Sequence, residues 1–133
     1  MSGRSPRVAL TGALVLIVDD DAAEAERVAA ALEAAGFRTL RAADAVEGLV
    51  AVEEQQPDVV VLDWELPFID GSIFIRALRA GLERPPPVVV LAPPALAAEA
   101  VLQLGAAACV PTPPEPRELR QAVHAALGGR SES

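Results

Sequence analysis

Apolar positions along the chain alternate between short unbroken runs and longer stretches of helical spacing. Leu14 to Val18, Val59 to Leu62 and Val88 to Leu91 are unbroken apolar runs, as strands buried on both faces should be. Ala107 to Val110 reads as a last strand, and Phe37 to Arg41 as a weaker one near an edge. Between them lie five helical patterns. Asp21 caps the first, which runs to Ala35 with Val28, Ala31, Leu32 and Ala35 on one face and stops at Gly36. Asp44 caps the second, which runs to Gln55, buries Val46, Leu49, Val50 and the stem of Glu53, and breaks at Pro57. Gly71 opens the third, with Phe74, Ala77 and Leu78 inward. After the stiff connector Pro85-Pro86-Pro87, Pro94 starts the fourth, with Leu96, Ala100, Val101 and Leu104 inward. Pro116 starts the last, which carries Leu119, Ala122, Val123, Ala126 and Leu127 and ends at Gly128 and Gly129.

Five strands alternating with five helices predict an α/β fold, a doubly wound five-stranded parallel sheet covered on both faces. The expected organisation is an N-terminal arm over residues 1–13, one domain over 14–127 and a flexible tail over 128–133. The length of 133 residues suits one such domain. Arg4 and Arg7 before an apolar run superficially copy a signal peptide. That run meets Asp19 to Asp21 without a cleavage site and is too short to span a bilayer, so a cytoplasmic protein without a membrane partner is expected.

Charge narrows the chemistry. The net charge is −8, every one of the 11 basic residues is Arg, and no basic face is evident, which argues against nucleic acid as a partner. A single cysteine and a single histidine exclude an internal disulfide and make Cys- or His-based metal sites and His-based triads poor readings. A metal would have to be held by carboxylate oxygens.

In a doubly wound sheet the ligand site lies beyond the carboxyl ends of the strands, where strand order reverses. Asp19, Asp20 and Asp21 follow the first strand and Asp63 closes the third. Asp19 to Asp21 also read as plain helix-capping residues, which accounts for Asp21 but not for an Asp closing an entirely apolar strand. Converging carboxylates repel unless a cation joins them or some stay protonated, and an oxygen-only cluster suits Mg²⁺. The absence of a Gly-rich phosphate loop counts against a flavodoxin-like enzyme or ligand-binding protein, the weakest alternative.

The stretches LVLIVDDD (Leu14 to Asp21) and PDVVVLDWELPFIDG (Pro57 to Gly71) resemble the receiver domains of bacterial response regulators, with a Pro four residues after Asp63 and Asp-Gly at seven and eight. The likeness runs from Leu14 to Leu127 and includes GAAACVPTPPEPREL (Gly105 to Leu119). It implies a flavodoxin-like, receiver-like fold, with Asp63 as phosphoryl acceptor. It also implies Mg²⁺ held by Asp19, Asp20, Asp63 and the backbone carbonyl of Glu65, and a cis peptide at Thr112-Pro113. Attack of the Asp63 carboxylate on phosphorus would give an acyl phosphate.

The sequence departs from the family at the switch end. Ala92 stands where receivers carry Ser or Thr, Thr112 where they carry Lys, and Cys109 where an aromatic is common; the chain holds no Lys at all. The reading is a stand-alone, atypical receiver domain, a monomer or weak homodimer. It would act mainly as a protein-interaction module in phosphorelay signalling, with a histidine kinase, a phosphotransfer protein or another signalling protein as partner. The alternative is an ordinary shuttle that takes a phosphoryl group from a histidine kinase. No enzymatic activity is expected beyond self-phosphorylation at Asp63. Cys109 reads as a small buried hydrophobe and His124 as a surface or satisfied residue, while Trp64 is either a packing residue or part of the site's mouth.

Overall fold

The computed structural model describes residues 12–131, with side chains through Gly128. The apolar runs form β1 (Leu14–Val18), β3 (Val59–Asp63), β4 (Val88–Ala92) and β5 (Ala108–Pro111), and β2 (Arg38–Ala42) is the more polar one. All pairings are parallel, in the order β2-β1-β3-β4-β5, so order reverses at β1. This confirms the α/β doubly wound fold. Strand β2 lies at the edge, as its weak apolar content predicts.

The helices are α1 (Ala22–Ala34), α2 (Ala45–Gln55), α3 (Gly71–Gly81), α4 (Ala98–Gln103) and α5 (Pro116–Ser131). Alternating strand residues serve opposite layers, as the period of two requires. Val15, Ile17, Val59, Val61, Val89 and Leu91 pack with α1 and α5. Leu16, Val18, Val60, Leu62, Val88 and Val90 pack with α2, α3 and α4. Asp21 caps α1 by accepting from the N–H groups of Ala23 (3.0 Å) and Glu24 (3.1 Å), and Asp44 caps α2 through the N–H of Glu47 (2.8 Å).

Four helix expectations are corrected. Helix α2 turns Ala45, Gly48 and Val52 inward, while Val46 and Val50 are 64% and 45% exposed, Glu53 is exposed and Leu49 is only half-buried. The cause is close packing. A Cβ on Gly48 would stand 3.0 Å from the side chains of Phe74 and Val18, so the small residues face the sheet. In α3 the inner face is Phe74, Ile75 and Leu78, with Ala77 half-buried. Helix α4 begins at Ala98 rather than Pro94 and buries Val101, leaving Ala100 exposed and Leu96 and Leu104 half-buried. Pro93 to Leu96 form a turn in which the Leu96 N–H bonds the Pro93 carbonyl (3.0 Å). Helix α5 continues through Gly128 and Gly129 to Ser131. Glycine stops a helix by adopting a positive φ, and Gly128 is not among the positive-φ glycines.

At the other end, the arm expected over residues 1–13 is corrected at its last two positions, where the Gly12 N–H bonds the Gly36 carbonyl (3.1 Å) and Ala13 is buried. Residues 1–11, 132 and 133 lie outside the described residues. Among the described residues no helix is long and apolar enough to cross a membrane.

Candidate functional site

The sheet itself brings the acidic residues together. Val18 pairs with Leu62 in the β1–β3 register, so one step further Asp19 and Asp63 stand side by side although 44 residues separate them in the chain. On the β2 side of β1 the ladder persists to Asp19, whose N–H bonds the Ala42 carbonyl (3.0 Å). Both residues continue the alternation of Val15 and Ile17, and of Val59 and Val61, so both side chains emerge on the layer occupied by α1 and α5.

From α1 a third carboxylate joins them. One carboxylate oxygen each of Asp19, Glu24 and Asp63 lie within 4.8 Å of one another. Asp19 is 4% exposed; its Oδ1 accepts the Asp21 N–H (2.9 Å), and its Oδ2 is buried with no hydrogen-bond partner. Asp63 is half-buried, and its Oδ1 accepts the Glu65 N–H (3.2 Å). Burial, reinforced by Glu24, pushes the Asp19 carboxyl up to about 7. Burial and repulsion from Asp19, with a smaller contribution from Asp20, push Asp63 up to about 7 as well.

A buried carboxylate oxygen surrounded by other carboxylates finds no donor among them unless one holds a proton, and a cation satisfies it equally. The orphaned Asp19 Oδ2 and the all-oxygen donor set therefore fit a hard divalent ion. Asp20 is exposed and lies outside the tight trio, and Glu65 touches Asp63 through its backbone N–H.

Glu24 carries no motif signal in the sequence. Its spacing three residues after the N-cap Asp21 reads as a capping box, in which its carboxylate would reach back to the Asp21 N–H. Asp19 holds that N–H instead.

At the neighbouring strand ends, Ala92 is 1% exposed and its carbonyl accepts the Thr112 N–H (2.9 Å). The Thr112-Pro113 peptide is cis, as the resemblance leads one to expect. Cys109 is half-buried, and burial pushes its thiol up, which fits a packing role. His124 is exposed with its ring 5.1 Å from that of Phe37. Trp64 is half-buried against the core and packs on Gly71, where a Cβ would collide with its ring.

The comparisons with known proteins agree with this architecture. The family model of the response regulator receiver domain matches residues 15–124. The DNA-binding response regulator MtrA of Mycobacterium tuberculosis is 38% identical over 115 residues, covering 85% of this chain and 50% of MtrA. The phosphate regulon transcriptional regulatory protein PhoB of Pseudomonas aeruginosa is 33% identical over 121 residues, covering 89% of this chain and 53% of PhoB. The chain thus spans about half the length of the curated relatives it matches. Among solved structures, a response regulator of Chloroflexus aurantiacus superposes with a TM-score of 0.82 at 32% identity, covering 89% of this chain and 99% of its own. The chemotaxis response regulator CheY4 of Vibrio cholerae gives 0.80 at 27% identity, covering 88% of this chain and 100% of its own. Profile, relatives and fold converge: the chain belongs to the response regulator receiver domain family of two-component signalling.

Proposed function

We propose that this receiver domain acts mainly as a protein-interaction module whose recognition depends little on phosphorylation, with Asp63 as its candidate phosphoryl acceptor. The observation that carries the reading lies at the ends of β4 and β5. Buried Ala92 offers no hydroxyl there, Thr112 offers no ammonium, and the chain contains no Lys. In an ordinary receiver those two groups bond the phosphoryl oxygens and convert the modification into a change of surface.

Asp63, standing beside Asp19, suits nucleophilic attack in its ionised form. One carboxylate oxygen forms the new bond to phosphorus, the donor's leaving group departs with the bonding pair, and an acyl phosphate results. Asp19, Asp20, Asp63 and the Glu65 carbonyl are the proposed Mg²⁺ ligands, and the ion when bound neutralises charge on the phosphoryl oxygens. Thr112 can donate one neutral hydrogen bond in place of the charge-assisted one. Losing both usual partners removes roughly 2.5–4 kcal/mol, taking about 1.5–3 for the charged bond and about 1 for the neutral one. That matches a usual allosteric coupling of about 1–3 kcal/mol, so little drive for switching remains. The proposed setting is the cytoplasm, and the proposed partner is a histidine kinase, a phosphotransfer protein or another signalling protein. DNA binding is named for MtrA, of which this chain spans about half; the chain's own charge of −8 offers no basic face for it.

The retained trio of Asp19, Asp20 and Asp63 keeps the shuttle reading as the competitor. Amide NMR shifts with and without a beryllofluoride phosphoryl mimic and Mg²⁺ separate the two. Shifts confined to the neighbourhood of Asp63 are expected. Large shifts across α4 and α5 would establish ordinary switching and return the shuttle.

A further inference from the structure

Glu24 is placed to change what the acidic site binds. Its carboxylate does not close a capping box, because the Asp21 N–H is already given to Asp19 Oδ1 (2.9 Å). It is half-buried and reaches the Asp19–Asp63 pair from the first turn of α1, on the layer where both of those side chains emerge. Asp19 Oδ2, 96% buried with its residue and without a hydrogen-bond partner, independently marks an unfilled demand for positive charge at this point. The ion pair found among the described residues, Arg41–Glu26 at 3.4 Å, involves none of the three carboxylates, and the chain has no Lys to send.

From this juxtaposition we infer that Glu24 is an additional carboxylate of the cation site, one that raises its affinity for divalent ions. The inference rests on the reading of Asp63 and Asp19 as cation ligands and adds a residue beyond that set. A Mg²⁺ site usually takes one or two carboxylates and keeps its waters, whereas Ca²⁺ accepts six to eight oxygens at flexible angles. A further carboxylate converging on those of Asp19 and Asp63 therefore favours Ca²⁺ relative to Mg²⁺. The same carboxylate repels phosphoryl oxygens, which agrees with a domain that depends little on phosphorylation.

Isothermal titration of the full chain with Mg²⁺ and, separately, Ca²⁺ tests the inference, using Glu24→Gln and Asp63→Asn. Glu24→Gln keeps size and polarity and removes one negative charge, and circular dichroism checks that the fold persists. It is expected to weaken Ca²⁺ binding roughly 10-fold or more, and Mg²⁺ binding less. Glu24→Asp, which keeps the charge, is expected to recover part of the Ca²⁺ affinity. If Asp63→Asn weakens binding while Glu24→Gln matches the wild type for both ions, Glu24 is not part of the site and the inference falls alone. If the wild type binds neither ion, the cation reading of Asp19 and Asp63 falls, and the role of Glu24 falls with it.

Discussion

Asp19→Asn provides a direct measure of how much free energy the crowded carboxylates hold. The substitution keeps an oxygen for the Asp21 N–H and removes the charge on a residue only 4% exposed. Raising the Asp19 carboxyl from 3.8 to about 7 corresponds to roughly 4 kcal/mol at about 1.36 kcal/mol per unit. Burial is the main cause of that shift, with Glu24 adding to it, and a buried Asn amide keeps part of the desolvation cost, so the share released by Asn is about 1–3 kcal/mol. The sign follows from linkage. A carboxyl with a raised folded-state value favours the native state below its unfolded value of 3.8, and that contribution is lost as pH rises through about 7. In the presence of a chelator at about pH 8, Asp19→Asn should therefore be the more stable protein by about 1–3 kcal/mol. Near pH 4 the two should converge, because the wild-type carboxyl is then largely protonated. Urea denaturation read by circular dichroism measures the difference at each pH, and subtraction cancels the titration of distant groups. Addition of Mg²⁺ at about pH 8 should stabilise the wild type and leave the variant almost unchanged. A variant no more stable than wild type at high pH, or a difference that does not vary with pH, would refute the reasoning.

Other expectations are equally direct. Gly71→Ala drives a Cβ into the Trp64 ring and should cost about 1–3 kcal/mol, with a shift in tryptophan emission; an unchanged spectrum would mean that the ring yields freely. Asp58→Ala removes the 2.8 Å bond from the Leu14 N–H to Asp58 Oδ2 and should cost about 0.5–1.5 kcal/mol in urea titration, less if water takes its place. Ala92→Thr combined with Thr112→Lys should create the missing coupling, so that beryllofluoride and Mg²⁺ shift amide resonances across α4 and α5; silence there would show that the block lies elsewhere.

Much of this architecture is legible without coordinates because a parallel sheet buries both faces of its central strands. Val59 to Leu62 and Val88 to Leu91 have no polar residue to confuse the pattern, and all of them are buried. The helices are less legible where small residues do the packing. Val46 and Val50 look like an inner face by hydropathy, but Gly48 lets α2 approach Val18 and Phe74 so closely that the larger residues face outward. Gly128 likewise reads as a stop, yet only its φ decides whether it is one. In the acidic site, Asp19 and Asp63 are visible because they close apolar strands. Glu24 is hidden, because its sequence context describes a helix cap and only the prior claim of Asp19 on the Asp21 N–H releases it. Register, which neither hydropathy nor spacing records, is what turns separate acids into a site.

The pairing of Val18 with Leu62 has a kinetic side. β1 and β3 are distant in the chain, so their alignment must wait for a long loop to close. A slip of one residue would turn Asp63 to the opposite layer, away from Asp19 and Glu24. Ligands for an ion thus exist together only once the central strands are correctly aligned. An ion held there would act after the folding barrier has been crossed, slowing the unfolding rate while leaving the folding rate nearly untouched. In a cell, such a domain would owe its lifetime against proteolysis partly to the surrounding pool of free divalent ions.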